Sequence, residues 1–227
     1  MTELEDNLAK IQAKLSPPVE EKDSVDRAFD SIVAHATGEQ VSETQAAPPA
    51  QKIKYEFEDP LELAQLMHEN VRFHKWQSDI SYKLGHSKPT QHNPFKLCLT
   101  ACNGSGKDAF VIAPFVVWFM LTRIDGLVVV TSSSGVQLTA QTETYISRLC
   151  HQFNAWIGRN VFKVIKRHIV CTETGSECRL FATDEPGKAE GYHPLVPGAE
   201  MAIVANEAKT IEDGIFQALS RCTGYNF

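Results

Sequence analysis

Ala101-Cys102-Asn103-Gly104-Ser105-Gly106-Lys107-Asp108 stands between a short apolar run, Lys96-Leu97-Cys98-Leu99-Thr100, and an apolar helical pattern from Asp108 to Leu121. Small residues let backbone N–H groups turn inward around phosphate oxygens. A helix N-terminus behind them favours negative charge, and a lysine reaches the β and γ phosphates. Gly104, Gly106 and Lys107 supply these parts in strand–loop–helix order. The stretch departs from the GxxxxGK-plus-hydroxyl pattern at both ends: Ala101 replaces the first glycine, and Asp108 replaces the magnesium-binding Ser or Thr. Residues Ala101, Cys102, Asn103, Gly104, Ser105, Gly106, Lys107 and Asp108 are therefore read as a nucleotide-phosphate loop. The alternative is a glycine-rich turn leading into a surface helix.

Outward from the loop, strand and helix patterns alternate. Leu127 to Val130 reads as a buried strand, Gln137 to Phe153 as a helix, and Phe162 to Val170 and Glu177 to Ala182 as strands with Gly175 in the turn between them. Met201 to Ala205 is a further apolar strand and Ile211 to Leu219 a helix. Upstream, Asp59-Pro60 places a capping carboxylate before a proline at the first helical position, so a helix is expected over Leu61 to Phe73. Solidly apolar strands alternating with helices predict an α/β fold, with a mainly parallel sheet covered by helices on both faces.

A second motif lies about a hundred residues after the loop. Met201-Ala202-Ile203-Val204-Ala205-Asn206-Glu207 is an apolar strand ending in an amide and an acid. The usual Asp-Glu ending places one carboxylate near magnesium and the next where it polarises a water against the γ-phosphate. Here Glu207 is intact and Asn206 replaces the metal-side acid. Asp108 adds a carboxylate where a neutral hydroxyl is usual, so Asp108 and Asn206 are metal candidates that exchange one charge across a shared site. The plainer alternative is a site degraded at both positions.

The 227 residues carry a net charge of -6, and 43% are hydrophobic. Residues 1–60 hold thirteen acids against six bases, and the remainder fifteen against sixteen. A nearly neutral body offers nucleic acid only a local patch. Lys163, Lys166, Arg167 and His168 crowd one expected strand, either as DNA-backbone contacts or as a solvated face. The six cysteines include no CxxC pair, which argues against a zinc ribbon or a redox motif. No apolar window reaches membrane-spanning length, and Met1-Thr2-Glu3-Leu4-Glu5-Asp6 is not a secretory signal. Leu4, Leu8, Ile11 and Leu15, then Val25, Phe29, Ile32 and Val33, mark two short helical stripes. A polar linker follows from Thr37 to Lys52. Residues 1–52 are expected to form this acidic helical leader and linker, and residues 53–227 a P-loop nucleotide-binding domain. The leader's stripes suit either a docking partner or the chain's own body.

The chain resembles the N-terminal ATPase domain of large terminase subunits, the motors that pump DNA into tailed-phage capsids. The resemblance runs from about Phe73 to Phe227. It rests on Asn103 to Lys107, on Val130-Thr131-Ser132-Ser133-Ser134 with Gln137, on Ala182-Thr183-Asp184-Glu185 running to Glu190-Gly191-Tyr192-His193, and on Asn206-Glu207-Ala208-Lys209. The resemblance implies a RecA-like P-loop NTPase that hydrolyses ATP, with magnesium, to translocate double-stranded DNA. Lys107 and Glu207 would be its catalytic pair, and Gln77, beside Trp76, would read the adenine edge. It also implies a small terminase subunit and a capsid portal as partners, a ring oligomer when docked, no membrane, and the host cell cytoplasm as location. Where the family often has an arginine, this chain has Glu190, so Arg148, Arg159, Arg179 or a neighbouring subunit would supply that charge. The chain stops where the family's coupling segment is expected to begin. No nuclease-like acid cluster remains, so no nuclease activity is expected. Two rivals stand beside this reading: a helicase or translocase of another family, and a catalytically silent nucleotide-binding assembly module.

Overall fold

The computed structural model describes residues 52–68, 70–89, 94–102, 104–183 and 191–222. The leader and linker up to Gln51, the loop residue Asn103, the Asp184 to Glu190 stretch and the last five residues lie outside the described residues.

Helix α1 spans Pro60–Met67, and its start is the one the sequence encodes: Asp59 Oδ1 accepts from the N–H groups of Leu61 at 2.8 Å and Glu62 at 3.0 Å. It ends six residues short of Phe73, and a second helix, α2 (Lys75–His86), follows. Helix α3 begins directly after the glycine loop as a π-helical turn, Asp108–Ile112, and continues as Ala113–Thr122. Strand β1 (Leu127–Ser132) leads to α4, which runs through Gly135–Gln137, a π-helical stretch Leu138–Glu143, and Thr144–Ile157. Strands β2 (Phe162–Ile165), β3 (His168–Cys171), β4 (Glu177–Ala182) and β5 (Met201–Asn206) precede helix α5 (Asp213–Cys222).

The five strands form one sheet in the order β2-β3-β4-β1-β5. Strand β1 pairs in parallel with β4 and β5, whereas β2–β3 and β3–β4 are antiparallel. The sheet is thus mixed, and the expected mainly parallel, RecA-like sheet is not what forms. Two local causes overturn that expectation. The single strand expected over Phe162 to Val170 is a hairpin, because Lys166 and Arg167 turn the chain, with Arg167 in the left-handed region at φ 58. A two-residue connection can only join antiparallel strands. The turn from β3 to β4 is also short, five residues with Gly175 at φ 76, and the pairing is again antiparallel. The second cause is upstream. Lys96 to Thr100, expected as the first parallel strand, forms no strand and is largely exposed.

The core sits around β1. Val128, Val129 and Val130 are fully buried, each contributing about 2 kcal/mol by removal of apolar surface from water. Leu127 and Val129 pack with Phe181, Met201, Ile211, Ile215 and Leu219, which seats the amphipathic α5 on β4 and β5. A polar clasp holds the incoming chain. The Tyr55 hydroxyl donates to Glu173 Oε2 at 2.7 Å, and Arg159 Nε donates to Glu173 Oε1 at 2.6 Å. Burial, reinforced by that carboxylate, pushes the Tyr55 phenol well above its ordinary pKa.

Candidate functional site

The parallel pairings align the carboxyl ends of three strands: Ser132 of β1 is level with Ala182 of β4 and Asn206 of β5. Ligands in open α/β sheets bind beyond such ends, where side chains and helix starts converge. Both π-helical stretches, at the start of α3 and within α4, pack against each other here. Such widened turns re-aim side chains and are frequent at functional sites.

Five side chains meet at this place. Lys107 Nζ lies 2.6 Å from Glu207 Oε1 and 3.3 Å from Asp108 Oδ2. Asn206 Nδ2 donates to Asp108 Oδ1 at 2.6 Å and to Thr142 Oγ1 at 2.9 Å. Thr142 Oγ1 in turn donates to Asp108 Oδ1 at 2.9 Å. Asn206 Oδ1 accepts the Glu207 N–H at 3.0 Å, which fixes the amide with its NH2 toward Asp108. Of the two metal candidates, Asp108 therefore presents the oxygens and Asn206 the donors. Asp108 Oδ1 is held by two neutral donors, while Oδ2 faces the ammonium.

The electrostatics follow from that geometry. The hydrogen bond from Lys107, helped by its charge against a smaller burial effect, holds the Glu207 carboxyl below the ordinary glutamate range. Burial works against the Lys107 ammonium. The hydrogen bond that Lys107 donates to Glu207 and the fields of Asp108 and Glu207 together outweigh it and raise the lysine pKa. Both groups are thus ionised at neutral pH. Glu207 also adopts φ 54, a left-handed conformation that costs a non-glycine residue about 1 kcal/mol.

The loop itself is held open by Gly104 at φ 74 and Gly106 at φ 78. A Cβ on Gly106 would lie 2.7 Å from Phe110 Cδ2, so only glycine fits beside that ring. Ser105 Oγ is buried without a hydrogen-bond partner. Ala101 is half-buried and Cys102 exposed.

Gln77 reaches this loop, but both ends of its amide are engaged. Oε1 accepts the His74 N–H at 2.9 Å, closing a capping box on α2, and Nε2 donates to the Ser105 carbonyl at 3.1 Å. The side chain is 2% exposed and ties α2 to the glycine loop. Gln137 is exposed, and its backbone N–H donates to Ser134 Oγ, the N-cap of α4. Thr142, five positions further along the same helix, is the residue that enters the site. Residue-type reasoning missed it, because a lone threonine inside a helical pattern carries no spacing signal.

Arg159 is engaged with Glu173, and Arg179 Nη2 with Glu177 at 2.8 Å, while Arg148 lies over the Tyr145 ring. In the basic hairpin, Lys163 and Lys166 are exposed, His168 Nε2 lies 2.8 Å from Glu177 Oε2, and the Arg167 N–H donates to Glu143.

Magnesium on a triphosphate takes hard oxygens, draws on the phosphates and keeps several waters. One carboxylate steadied by a hydroxyl suits that demand. Among the described residues no group of three or more His, Cys, Asp or Glu could hold a cation unaided. A cation at this place would be held by Asp108 together with the oxygens of a bound phosphate. No helix among the described residues is long and apolar enough to cross a membrane. No protein-family model, curated protein or solved structure matches the chain.

Proposed function

We propose that the chain is the ATPase part of a DNA-packaging motor of the terminase kind, hydrolysing ATP with magnesium at the carboxyl end of β5. The observation that supports this most is the meeting of Lys107 and Glu207, a hundred positions apart, at 2.6 Å beside a double-glycine loop. The motor assignment rests in addition on the terminase-like order of motifs in the sequence.

The residues divide the work. The loop backbone and Lys107 bind the β and γ phosphate oxygens, which compete with Glu207 for the ammonium. Glu207, released from Lys107 and ionised, orients a water toward the γ-phosphorus and accepts a proton as the new O–P bond forms and the bond to ADP breaks. Asp108 presents an oxygen toward the cation, and Asn206 and Thr142 hold Asp108 in place. Bound magnesium supplies charge neutralisation to the phosphates. Double-stranded DNA, a small terminase subunit and a capsid portal are the proposed partners, in a ring assembled in the host cytoplasm.

The test is ATP binding and turnover by the full chain, alone and with DNA. Saturable, magnesium-dependent binding with release of phosphate supports the reading. Binding without turnover, even with DNA and partners present, would favour the silent assembly module instead.

A further inference from the structure

We infer that Thr142 is a positioning residue of the nucleotide site: its hydroxyl orients the Asp108 carboxylate that faces the cation. This deepens the nucleotide reading above and rests on it. The hydroxyl expected at position 108 is absent from the loop, where Asp stands instead. The structure brings another hydroxyl to the same place from α4. Thr142 Oγ1 lies 2.9 Å from Asp108 Oδ1 and 2.9 Å from Asn206 Nδ2.

The hydrogen-bond inventory shows why this hydroxyl is well matched. A threonine hydroxyl has one hydrogen to give and two lone pairs to receive. Thr142 gives its hydrogen to the carboxylate and receives one from the amide. With Asn206 it places two donors on Oδ1, which turns Oδ2 toward Lys107 and the phosphate loop. The residue is 1% exposed, so water does not substitute easily for either contact. Its place in the π-helical stretch Leu138–Glu143 aims it at the equally widened start of α3.

The experiment titrates magnesium against ATP binding by calorimetry, using the full chain and Thr142→Val, Thr142→Ser, Asp108→Asn and the Thr142→Val/Asp108→Asn pair. Valine keeps the shape and removes the hydroxyl, so the magnesium concentration for half-saturation should rise about tenfold, the size of one hydrogen bond to a charged group. Binding of ATP in EDTA should not change, Thr142→Ser should match the parent, and the hydroxyl should lose its effect once Asp108 is Asn. An unchanged magnesium midpoint in Thr142→Val, an equal shift in the serine variant, or a full tenfold shift persisting in the Asp108→Asn background would overturn the inference. If Thr142→Val does not fold, Thr142→Ala is read by the same criteria. Failure of the parent chain to bind ATP at all would defeat the nucleotide reading and this inference together. Normal parent binding with an indifferent Thr142 would defeat this inference alone.

Discussion

Lys107 Nζ and Glu207 Oε1 lie 2.6 Å apart, joining the glycine loop to the end of β5. Both groups are only about one-fifth exposed, so the pair is better shielded from solvent than an ordinary surface ion pair. The same contact keeps Glu207 charged, on a residue whose backbone is left-handed at φ 54.

That contact has a defined pH signature. A carboxyl whose folded pKa is lowered adds stability above its unfolded value and loses it as pH falls through the folded one. A lysine whose pKa is raised adds stability in full below its unfolded value and loses it as pH rises through the folded one. The pair's contribution therefore spans neutral pH, fading in acid below 4.5 and in base above 10.5. Glu207→Gln should cost about 1 kcal/mol at neutral pH, by urea unfolding, and the gap should close in acid. A gap that stays constant across the acid range would show that the ion pair contributes nothing.

Asn206→Asp should place a second carboxylate against Asp108, where an amide nitrogen now sits 2.6 Å from Oδ1. Two carboxylates that close cannot both ionise without cost. In EDTA the variant should lose about 2 kcal/mol of stability, and magnesium should restore part of it by binding the new pair. Asp108→Ser should weaken magnesium-dependent ATP binding, and the double variant should recover it. Such non-additivity is expected only of residues that share one site. Strictly additive effects on ATP affinity across several magnesium concentrations would mean a degraded site, not a rearranged one.

Gln77 tests whether the amide reads a base or holds the loop. Its two hydrogen bonds are internal, so Gln77→Ala should cost about 1–2 kcal/mol of stability. It should weaken ATP, GTP and ADP binding by similar factors, because the loop serves phosphates. Selective loss of adenine nucleotides, with guanine nucleotides unaffected, would return the residue to a base-reading role.

Much of this arrangement was legible in the residues. The apolar runs Leu127 to Val130 and Met201 to Ala205 mark the strands β1, buried throughout, and β5, half-buried at the sheet edge. Asp59-Pro60 marks the start of α1, and Gly104, Gly106 and Lys107 mark the loop. The mixed sheet was not legible. Phe162 to Val170 reads as one strand until Lys166 and Arg167 reverse it, and neither residue is a usual turn former. Lys96 to Thr100 has strand composition, yet it forms no strand, a case of context overriding propensity. Thr142 was invisible for a different reason. Its contacts come from a π-helical widening that residue spacing does not encode.

Lys107 and Glu207 are proposed as two parts of one ATP-hydrolysing site. The most direct test is ATP binding and phosphate release by the full chain, with magnesium and DNA, for the parent, Lys107→Ala and Glu207→Gln. The parent should bind and turn over ATP, and Lys107→Ala should fold but lose binding at least tenfold. Glu207→Gln should bind ATP as well as the parent, or better because its lysine is freed, and release almost no phosphate. A folded Lys107→Ala variant with undiminished binding, or a Glu207→Gln variant with undiminished turnover, would contradict the proposal.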